Sequence, residues 1–171
     1  IETGISTLSG DIKITAKGFS SDPSLENRIR DPEPLLRKVR SSLPQDARMA
    51  SRIRVNAVAQ NARHSAGVTL VGIDPRQEAG VSFIGEGVDA GTMLEPGDRH
   101  GIVVGEALIE KFETQIGYKL ILMTENATKD IASRAFRIRG IFRTELESTE
   151  KGYVFVSKDA AGEMLGIGPD V

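Results

Sequence analysis

Two histidines and a neighbouring serine are the first side chains of this sequence that could support metal or covalent chemistry. A metal site needs several converging ligands and a supporting second shell, but His64 and His100 are far apart and have no ligand at a metal-binding spacing. Ser65 follows His64 directly, yet no G-x-S-x-G motif surrounds it. We therefore expect no metal, no cofactor and no hydrolase triad, and we interpret both histidines as exposed loop residues.

Acidic residues form two small groups that could supply a general acid and a general base. The groups are Glu145, Glu147 and Glu150, and Asp89 with Glu95. Glycosidase-type chemistry needs two carboxyls across a cleft, usually with aromatic walls, but aromatic residues are 5% of the chain and tryptophan is absent. The pattern favours a solvated acidic loop. An enzyme that uses this 145–150 loop together with His100 is kept as a contrasting hypothesis.

A glycine-rich stretch from Gly85 to Gly91 has the spacing G-x-G-x-x-x-G, which is superficially similar to a phosphate-binding loop. Loops of that kind aim backbone N–H groups at phosphate from the start of a following helix. No helical pattern begins after Gly91, and the sequence has no Walker motif. The stretch therefore predicts a turn rather than a nucleotide site.

The segment from Arg28 to Arg54 carries the one charge asymmetry of the chain. Its basic residues are Arg28, Arg30, Arg37, Lys38, Arg40, Arg48, Arg52 and Arg54, against Asp31, Glu33 and Asp46. Such a segment could bind phosphate head groups or an acidic protein, with Arg37 and Arg40 as candidate contacts. The ordinary alternative is a solvated helix face followed by the outer side of a strand. Nucleic acid is not expected, because aromatic residues for base stacking are missing.

Composition restricts the class of protein further. A chain of 171 residues with 39% hydrophobic residues can bury a core without disulfides, and it has no cysteine. The 22 basic and 24 acidic residues nearly cancel, so there is no general attraction to nucleic acid or to an anionic membrane. No apolar run approaches the roughly 18 residues of a transmembrane helix. The sequence begins at Ile1 without methionine, which we interpret as a segment of a longer or processed protein.

The first third of the chain predicts a strand and an amphipathic helix. Ile12 and Ile14 alternate with polar residues, as in a strand that is buried on one face. Asp31 is placed to cap a helix that has Pro32 at its first position and that ends before Pro44. The apolar stripe of this helix consists of Leu35, Leu36, Val39 and Leu43.

The rest of the chain alternates short strands with a few short helices. The predicted elements are a hairpin of 53–60 and 68–73, turns with a short helical piece over 75–98, a strand at 101–104, a helix at 106–112, a strand at 118–123, a polar hairpin tip at 125–133, a strand through 136–142, a strand at 153–156, and a helix capped by Ser157 and closed by Gly166. Strands outnumber helices without strict alternation, which favours an α+β fold with a mixed or antiparallel sheet.

The periodicities also predict which residues form the core. The residues expected to be buried are Ile12, Ile14, Leu35, Leu36, Val39, Val55, Val71, Val103, Leu108, Phe112, Leu120, Ile138, Phe142 and Phe155. If Leu36 is a core residue, its replacement by alanine should cost about 2–5 kcal/mol of stability.

The order of several short motifs resembles the extracytoplasmic core domain of MacB-type ABC transporter permeases, a family that includes the lipoprotein-releasing permeases LolC and LolE and the cell-division permease FtsX. The motifs are the glycine-started segment Gly10–Ala16, the corner Gly72–Pro75, the strand Gly101–Gly105 followed by Glu106–Leu108, the turn and strand from Gly117 to Leu122, the strand Phe136–Phe142, and Tyr153–Val156 with its trailing helix. The resemblance covers about residues 10–165.

The resemblance implies one extracytoplasmic domain, residues 1–171, with two subdomains. A βαβ-type lobe would comprise residues 1–75 and 137–171, and an inserted β-rich lobe would comprise residues 76–136. Transmembrane helices outside this sequence would tether the domain to the outer face of the bacterial inner membrane. A further strand would follow Val171.

In this family the domain performs no covalent chemistry. The resemblance therefore implies a non-catalytic domain that couples ATP-driven conformational change to substrate export or extraction, or to envelope signalling, by mechanical transmission. Its implied partners are a second permease copy or paralogue, a cytoplasmic ABC ATPase that acts through the full-length protein, and a periplasmic adaptor or carrier.

One connection departs from the lipoprotein-releasing branch. Those members carry a proline-bearing hook that recruits a lipoprotein carrier, whereas residues 124–135 contain no proline here. The departure argues against carrier recruitment by this chain. Asn126, Thr128 and Lys129 of this connection are candidate partner contacts, together with Arg37 and Arg40. The alternative function is a stand-alone binding module for an anionic ligand or an acidic protein through the Arg28–Arg54 segment.

Overall fold

A computed structural model of the chain describes residues 12–171 and has a mixed α+β fold, which confirms the predicted class. The strands are β1 (Ile53–Gln60), β2 (Ser65–Ile73), β3 (Ala90–Gly91), β4 (Gly101–Gly105), β5 (Lys119–Glu125), β6 (Ile131–Phe142) and β7 (Tyr153–Ser157). The helices are α1 (Glu33–Ser42), α2 (Pro75–Glu78), α3 (Glu106–Phe112), α4 (Glu147–Gly152) and α5 (Lys158–Leu165). Short 3₁₀ helices lie at Leu25–Asn27 and Phe83–Glu86.

Strands β1 and β2 form the predicted antiparallel hairpin. The register runs from Ile53 opposite Gly72 to Gln60 opposite Ser65. The connecting loop is shorter than expected, because residues 65–67 already belong to β2. The apolar residues of β1 alternate with polar ones, so one face of the strand is buried throughout.

Six strands pair in a closed ring. Around the ring, β6 pairs in parallel with β4, β4 antiparallel with β7, β7 in parallel with β2, β2 antiparallel with β1, β1 antiparallel with β5, and β5 antiparallel with β6. The two-residue strand β3 adds to β6 near Gly140. The ring therefore has an interior face and an outer face.

The main hydrophobic core fills the interior of this ring. It combines one face of each of the six strands with side chains from α3 and α5. Its largest fully buried members are Phe112, Phe136, Leu70, Ile102, Leu108, Leu120, Leu122 and Ile138.

A second, smaller core lies on the outer face of β2, β7, β4 and the last part of β6. It consists of Val71, Ile73, Ile84, Leu94, Val103, Phe142 and Phe155. The half-buried Phe83 packs against this core. Its ring and those of Phe142 and Phe155 make tilted or edge-to-face contacts, with ring centroids 5.4–5.9 Å apart. The residues between α2 and β4 thus cover this side of the ring.

Both cores draw residues from each of the two predicted subdomains. Ile53 and Leu120 share the interior core, and Val71 and Ile84 share the outer one. The division into 1–75 with 137–171 and 76–136 stays a prediction.

The predicted caps of α5 are confirmed. The Ser157 hydroxyl accepts a hydrogen bond from the Ala160 N–H at 3.1 Å, which satisfies one of the unpaired donors of the first turn. Gly166 ends the helix in the left-handed region with φ +67°.

The first third of the chain differs from the prediction. Residues 12–16 form no strand, and Ile12 and Ile14 are 75% and 49% exposed. Their alternation was misleading because residues 12–16 pair with no strand of the described sheet, and an alternating segment buries its apolar face only where another element covers it. Gly10 and Asp11 lie outside the described residues.

Helix α1 forms as predicted, but its cap and its burial do not follow the expectation. Pro32 rather than Asp31 occupies the N-cap, and no side chain caps the helix. Asp31 instead has φ +45° and donates its backbone N–H to the Asp170 carboxylate at 3.1 Å. The predicted core positions Leu35, Leu36 and Val39 are only half-buried. The stripe of α1 thus lies at the edge of the protein and belongs to neither core.

The remaining predicted core residues are buried. These are Val55, Val71, Val103, Leu108, Phe112, Leu120, Ile138, Phe142 and Phe155. The predicted polar tip of the β5–β6 hairpin is shorter than expected, since residues 131–133 belong to β6. Polar side chains are compatible with a strand there, because they lie on its exposed face.

Candidate partner-contact surface

The tip of the β5–β6 hairpin is a compact turn organised by Asn126. The side-chain oxygen of Asn126 accepts the backbone N–H groups of Thr128 and Asp130, both at 3.0 Å. Lys129 adopts a positive φ of +66°. The predicted contact residue Asn126 therefore shapes the turn from within, while Thr128 and Lys129 are exposed at its end.

The hairpin tip is bonded to two other segments, the end of α5 and the residues before α1. The Ala127 N–H donates to the carbonyl of Leu165, the last residue of α5, at 2.9 Å. The Lys129 ammonium lies 2.7 Å from the Glu26 carboxylate and 3.4 Å from that of Glu125. The hydrogen bond from Lys129, together with its charge, lowers the pKa of Glu26.

The segment before α1 and the segment after α5 run side by side next to this tip. Ile29 and Val171 exchange two backbone hydrogen bonds of 2.6 and 3.1 Å. The Arg28 guanidinium donates to the Asp170 carboxylate at 2.7 Å, and this hydrogen bond lowers the pKa of Asp170. The tip and these two segments therefore belong to one continuous surface.

Four of the eight basic residues between Arg28 and Arg54 bind other parts of the protein. Arg28 pairs with Asp170, Arg48 donates to the carbonyl of Ala79, Arg52 binds Glu78, and Arg54 donates to the hydroxyl of Tyr153 while its guanidinium lies 5.4 Å from the Tyr153 ring. These partners are distant in sequence, so the charge pattern of the segment does not reveal them.

Of the other four basic residues, Arg30 is exposed before α1 and three lie on α1 itself. Arg37, Lys38 and Arg40 are exposed, and within residues 12–171 none of them has an ion pair or a side-chain hydrogen bond. Arg40 also borders a shallow hollow lined by Leu43, Pro44, Gln45, Ala47 and Met49. No ion pair or hydrogen bond in the described range joins α1 to the hairpin tip, so the five predicted contact residues form two separate groups.

The two histidines differ in exposure: His64 is half-buried, which corrects the expectation that both are exposed loop residues. His64 Nε2 lies 3.0 Å from the Glu113 carboxylate, and its ring is 6.0 Å from that of Phe112. His100 is exposed, with its N–H bonded to Asp98. Within the described residues, no group of histidine, aspartate or glutamate side chains could hold a metal ion.

The acidic 145–150 segment is not the solvated loop that was predicted. Residues 147–152 form α4, and Glu150 is buried. Its two carboxylate oxygens accept the backbone N–H groups of Ala107 at 3.0 Å and of Thr144 at 2.7 Å. Glu150 therefore joins the start of α3 to the end of β6, and it is not available as a general acid or base.

The glycine-rich stretch 85–91 begins in the 3₁₀ helix Phe83–Glu86 and ends in β3, and no helix follows it. A Cβ atom on Gly85 would lie 2.0 Å from the carbonyl oxygen of Glu78. Gly87 and Gly91 both have positive φ, which side chains resist. Close packing and turn geometry account for these glycines without a phosphate.

The sequence did not predict a contact between Ser51 and Lys158, which are far apart in the chain. The Lys158 ammonium donates to the Ser51 hydroxyl at 2.6 Å. Burial lowers the pKa of Lys158, while the charges of Asp74, Asp159 and Glu33 act in the opposite direction. The contact thus fastens the start of α5 to the residues before β1.

No helix of the described part of the chain is both long enough and apolar enough to span a bilayer. In the same residues, no buried side-chain nitrogen or oxygen lacks a hydrogen-bond partner. The polar interior is thus satisfied internally and presents no unpaired group to a ligand.

The fold is similar to that of a solved transporter domain. The crystal structure of the extracellular domain of the noncanonic ABC-type transporter YknZ from Gram-positive bacteria matches with a TM-score of 0.56 and 11% sequence identity, over 86% of this chain and 71% of that chain. No protein-family model matches the sequence, and no curated protein is significantly similar to it. At this level of identity the similarity shows a shared fold.

Proposed function

We propose that this chain is the extracytoplasmic domain of an ABC transporter permease, and that it transmits motion without performing covalent chemistry. The observation that carries the proposal is the fold, which it shares over most of its length with the extracellular domain of YknZ. In the proposed role, the domain couples ATP-driven rearrangement at the membrane to substrate export or extraction, or to envelope signalling.

The arrangement of the chain supports this role. Ile29 and Val171 are hydrogen bonded to each other, so the segment before α1 and the segment after α5 lie side by side. A domain held by two stalks needs such an arrangement, because both stalks must reach one membrane surface. The closed ring and its two cores provide a body that can move as a rigid unit.

The partners in this proposal are a second permease copy or paralogue, an ABC ATPase and a periplasmic adaptor or carrier. Thr128 and Lys129 at the hairpin tip are exposed and available as contacts, and Asn126 would hold their shape. Arg37 and Arg40 on α1 would form a separate contact. The two-subdomain division, 1–75 with 137–171 and 76–136, is part of the same proposal.

Cysteine labelling of the parent protein in intact cells tests the location. The described domain needs no background mutations, since the chain has no cysteine, and Thr128→Cys places one thiol on the exposed tip. A membrane-impermeant maleimide should label this variant without lysis, while a cysteine placed in the partner ATPase should react only after permeabilisation. Labelling of Thr128→Cys only after permeabilisation would contradict an extracytoplasmic location.

A second function is favoured by one observation: three exposed cations of α1 have no ion pair within residues 12–171. An anionic ligand or an acidic protein could bind Arg37, Lys38 and Arg40, with binding that weakens as salt screens the charges. Titration with poly-glutamate and with pyrophosphate would test this function. The double reversal Arg37→Glu with Arg40→Glu should abolish binding, and the matched reversal Arg63→Glu with Lys111→Glu on another surface should not.

A further inference from the structure

The outer face of the ring is covered on one side and bare on the other. The second core covers β2, β7, β4 and the end of β6. On the opposite side, the outer faces of β1, β5 and the first half of β6 are turned to solvent. Val58 on β1 is 40% exposed and Ile131 on β6 is 73% exposed, so apolar surface is present on this bare face.

The strand register places the side chains of the bare face in rows. One row contains Val58, Met123 and Ser133, and the next contains Gln60, Ile121 and Ala135. Each row joins an apolar residue to small or uncharged neighbours, and Ser133 and Ala135 are exposed. Small side chains make this part of the sheet surface flat enough for another sheet to approach to about 10 Å.

The two ends of the bare face carry opposite charges. At one end, the exposed residues Lys119 and Arg137 are paired across β5 and β6. At the other end lie the exposed acidic residues Glu125 and Asp130 with the cation Lys129, while the Arg54 guanidinium of β1 is bound to Tyr153 on the covered side. Lys119 and Glu125 begin and end the same strand, so the charge changes sign along the strand direction.

We propose that the bare face, defined by the outward residues of β1, β5 and residues 131–137 of β6, binds the same face of a second copy of this chain. A two-fold axis between the two faces, running across the strands, would stack β5 on β5 in opposite directions. Each basic end then meets the acidic end of the partner, and the apolar rows meet in the middle. A symmetric contact must be self-complementary in this way.

The exposed cations of α1 do not meet this requirement. A symmetric contact through α1 would place Arg37, Lys38 and Arg40 near the same cations of the second copy, and like charges would repel. The bare face is distinguished by having apolar rows in its centre and opposite charges at its ends.

The inference deepens the proposed function, because it assigns a surface to the second permease copy, but its test needs no membrane. Sedimentation of the isolated chain should show a monomer–dimer equilibrium at concentrations up to ~1 mM. Val58→Asp should weaken this dimer at least about tenfold, since it buries a charge opposite apolar groups. Leu146→Asp, which replaces another exposed apolar residue away from the face, should leave the dimer unchanged.

Charge exchange tests the orientation of the two copies. Lys119→Glu should weaken the dimer about tenfold by facing the partner's acidic end. The double variant Lys119→Glu with Glu125→Lys reverses both ends, and it should restore much of the lost affinity. Because the chain has no cysteine, the double variant Ser133→Cys with Ala135→Cys should also cross-link to dimers with a short bifunctional maleimide.

A monomer at every concentration, or a dimer that is indifferent to both Val58→Asp and Lys119→Glu, would overturn the assignment of this surface. Either result would leave the proposed function standing if Thr128→Cys is labelled from outside the cell. Conversely, a dimer with the expected sensitivities would support the surface even if the labelling experiment failed.

Discussion

Arg52 holds the carboxylate of Glu78 through two hydrogen bonds, from Nε to Oε1 at 2.8 Å and from Nη2 to Oε2 at 2.6 Å. The Glu78 side chain is fully buried, and its Oε2 also accepts the Ser82 hydroxyl at 2.7 Å. The pair joins the residue before β1 to the end of α2. It thereby fixes the start of the segment that covers the outer core.

Replacing Arg52 by alanine should destabilise the protein by about 3–5 kcal/mol, because it leaves a buried carboxylate without its cation. Arg37→Ala is the matched control, since Arg37 is exposed on α1 and should change stability by less than about 0.5 kcal/mol. Urea unfolding monitored by circular dichroism would measure both. Equal losses in the two variants would show that the ion pair does not stabilise the fold.

Gly105 is required for close packing rather than for an unusual backbone conformation. A Cβ atom there would lie 2.2 Å from the carbonyl oxygen of Glu150. Gly105→Ala should therefore cost about 3 kcal/mol, at the upper end of typical overpacking penalties. At Gly152 an added Cβ meets nothing within 4 Å, so Gly152→Ala serves as the control in thermal unfolding. Tolerance of alanine at both glycines would mean that α4 can move away from β4.

Leucines on α1 and on β5 should respond differently to truncation. Leu36 is half-buried, so Leu36→Ala should cost about 1 kcal/mol, less than the 2–5 kcal/mol expected of a core leucine. Leu122 is fully buried in the interior of the ring, and Leu122→Ala should cost the full 2–5 kcal/mol. Chemical denaturation of the two variants would compare them. A larger loss at Leu36 would place α1 against a core.

The Arg28–Asp170 contact should make stability fall in acid. Its hydrogen bond holds the pKa of Asp170 below the ordinary value of 3.8, so its contribution is complete above that value and is lost as the pH falls through the folded-state pKa. The difference in unfolding free energy between the native chain and Asp170→Asn should therefore be constant from about pH 5 to 7 and shrink as the pH falls below the ordinary value of 3.8. Urea titrations at several pH values would measure it. A difference that grew in acid would contradict the sign of the pKa shift.

Local patterns were sufficient for elements whose partners lie close in sequence. The alternation in β1 and β2 predicted their hairpin, and the Ser157 and Gly166 signals predicted the ends of α5. These features depend on backbone periodicity and on hydrogen bonds within a few residues. They can therefore be predicted from a short stretch of the sequence.

The partner-contact role of the five candidate residues stays a prediction, and the structure shows only where they lie. The cations Arg37 and Arg40 and the tip residues Thr128 and Lys129 are exposed, whereas Asn126 turned out to organise the turn. Composition could not show that four arginines of the same basic segment bind partners elsewhere in the fold. A charged residue has the same sequence signature whether it is solvated or paired over a long distance.

The sequence by itself determined the α+β class, most of the strands and the apolar positions of the ring. Only the tertiary structure decided that six strands close into a ring, and that Ile12, Ile14 and the apolar stripe of α1 belong to neither core. It also decided that Glu150 is a buried link between α3 and β6. Periodicity specifies which face of a strand is apolar, but the choice of neighbouring strand depends on contacts between residues that are far apart in the chain.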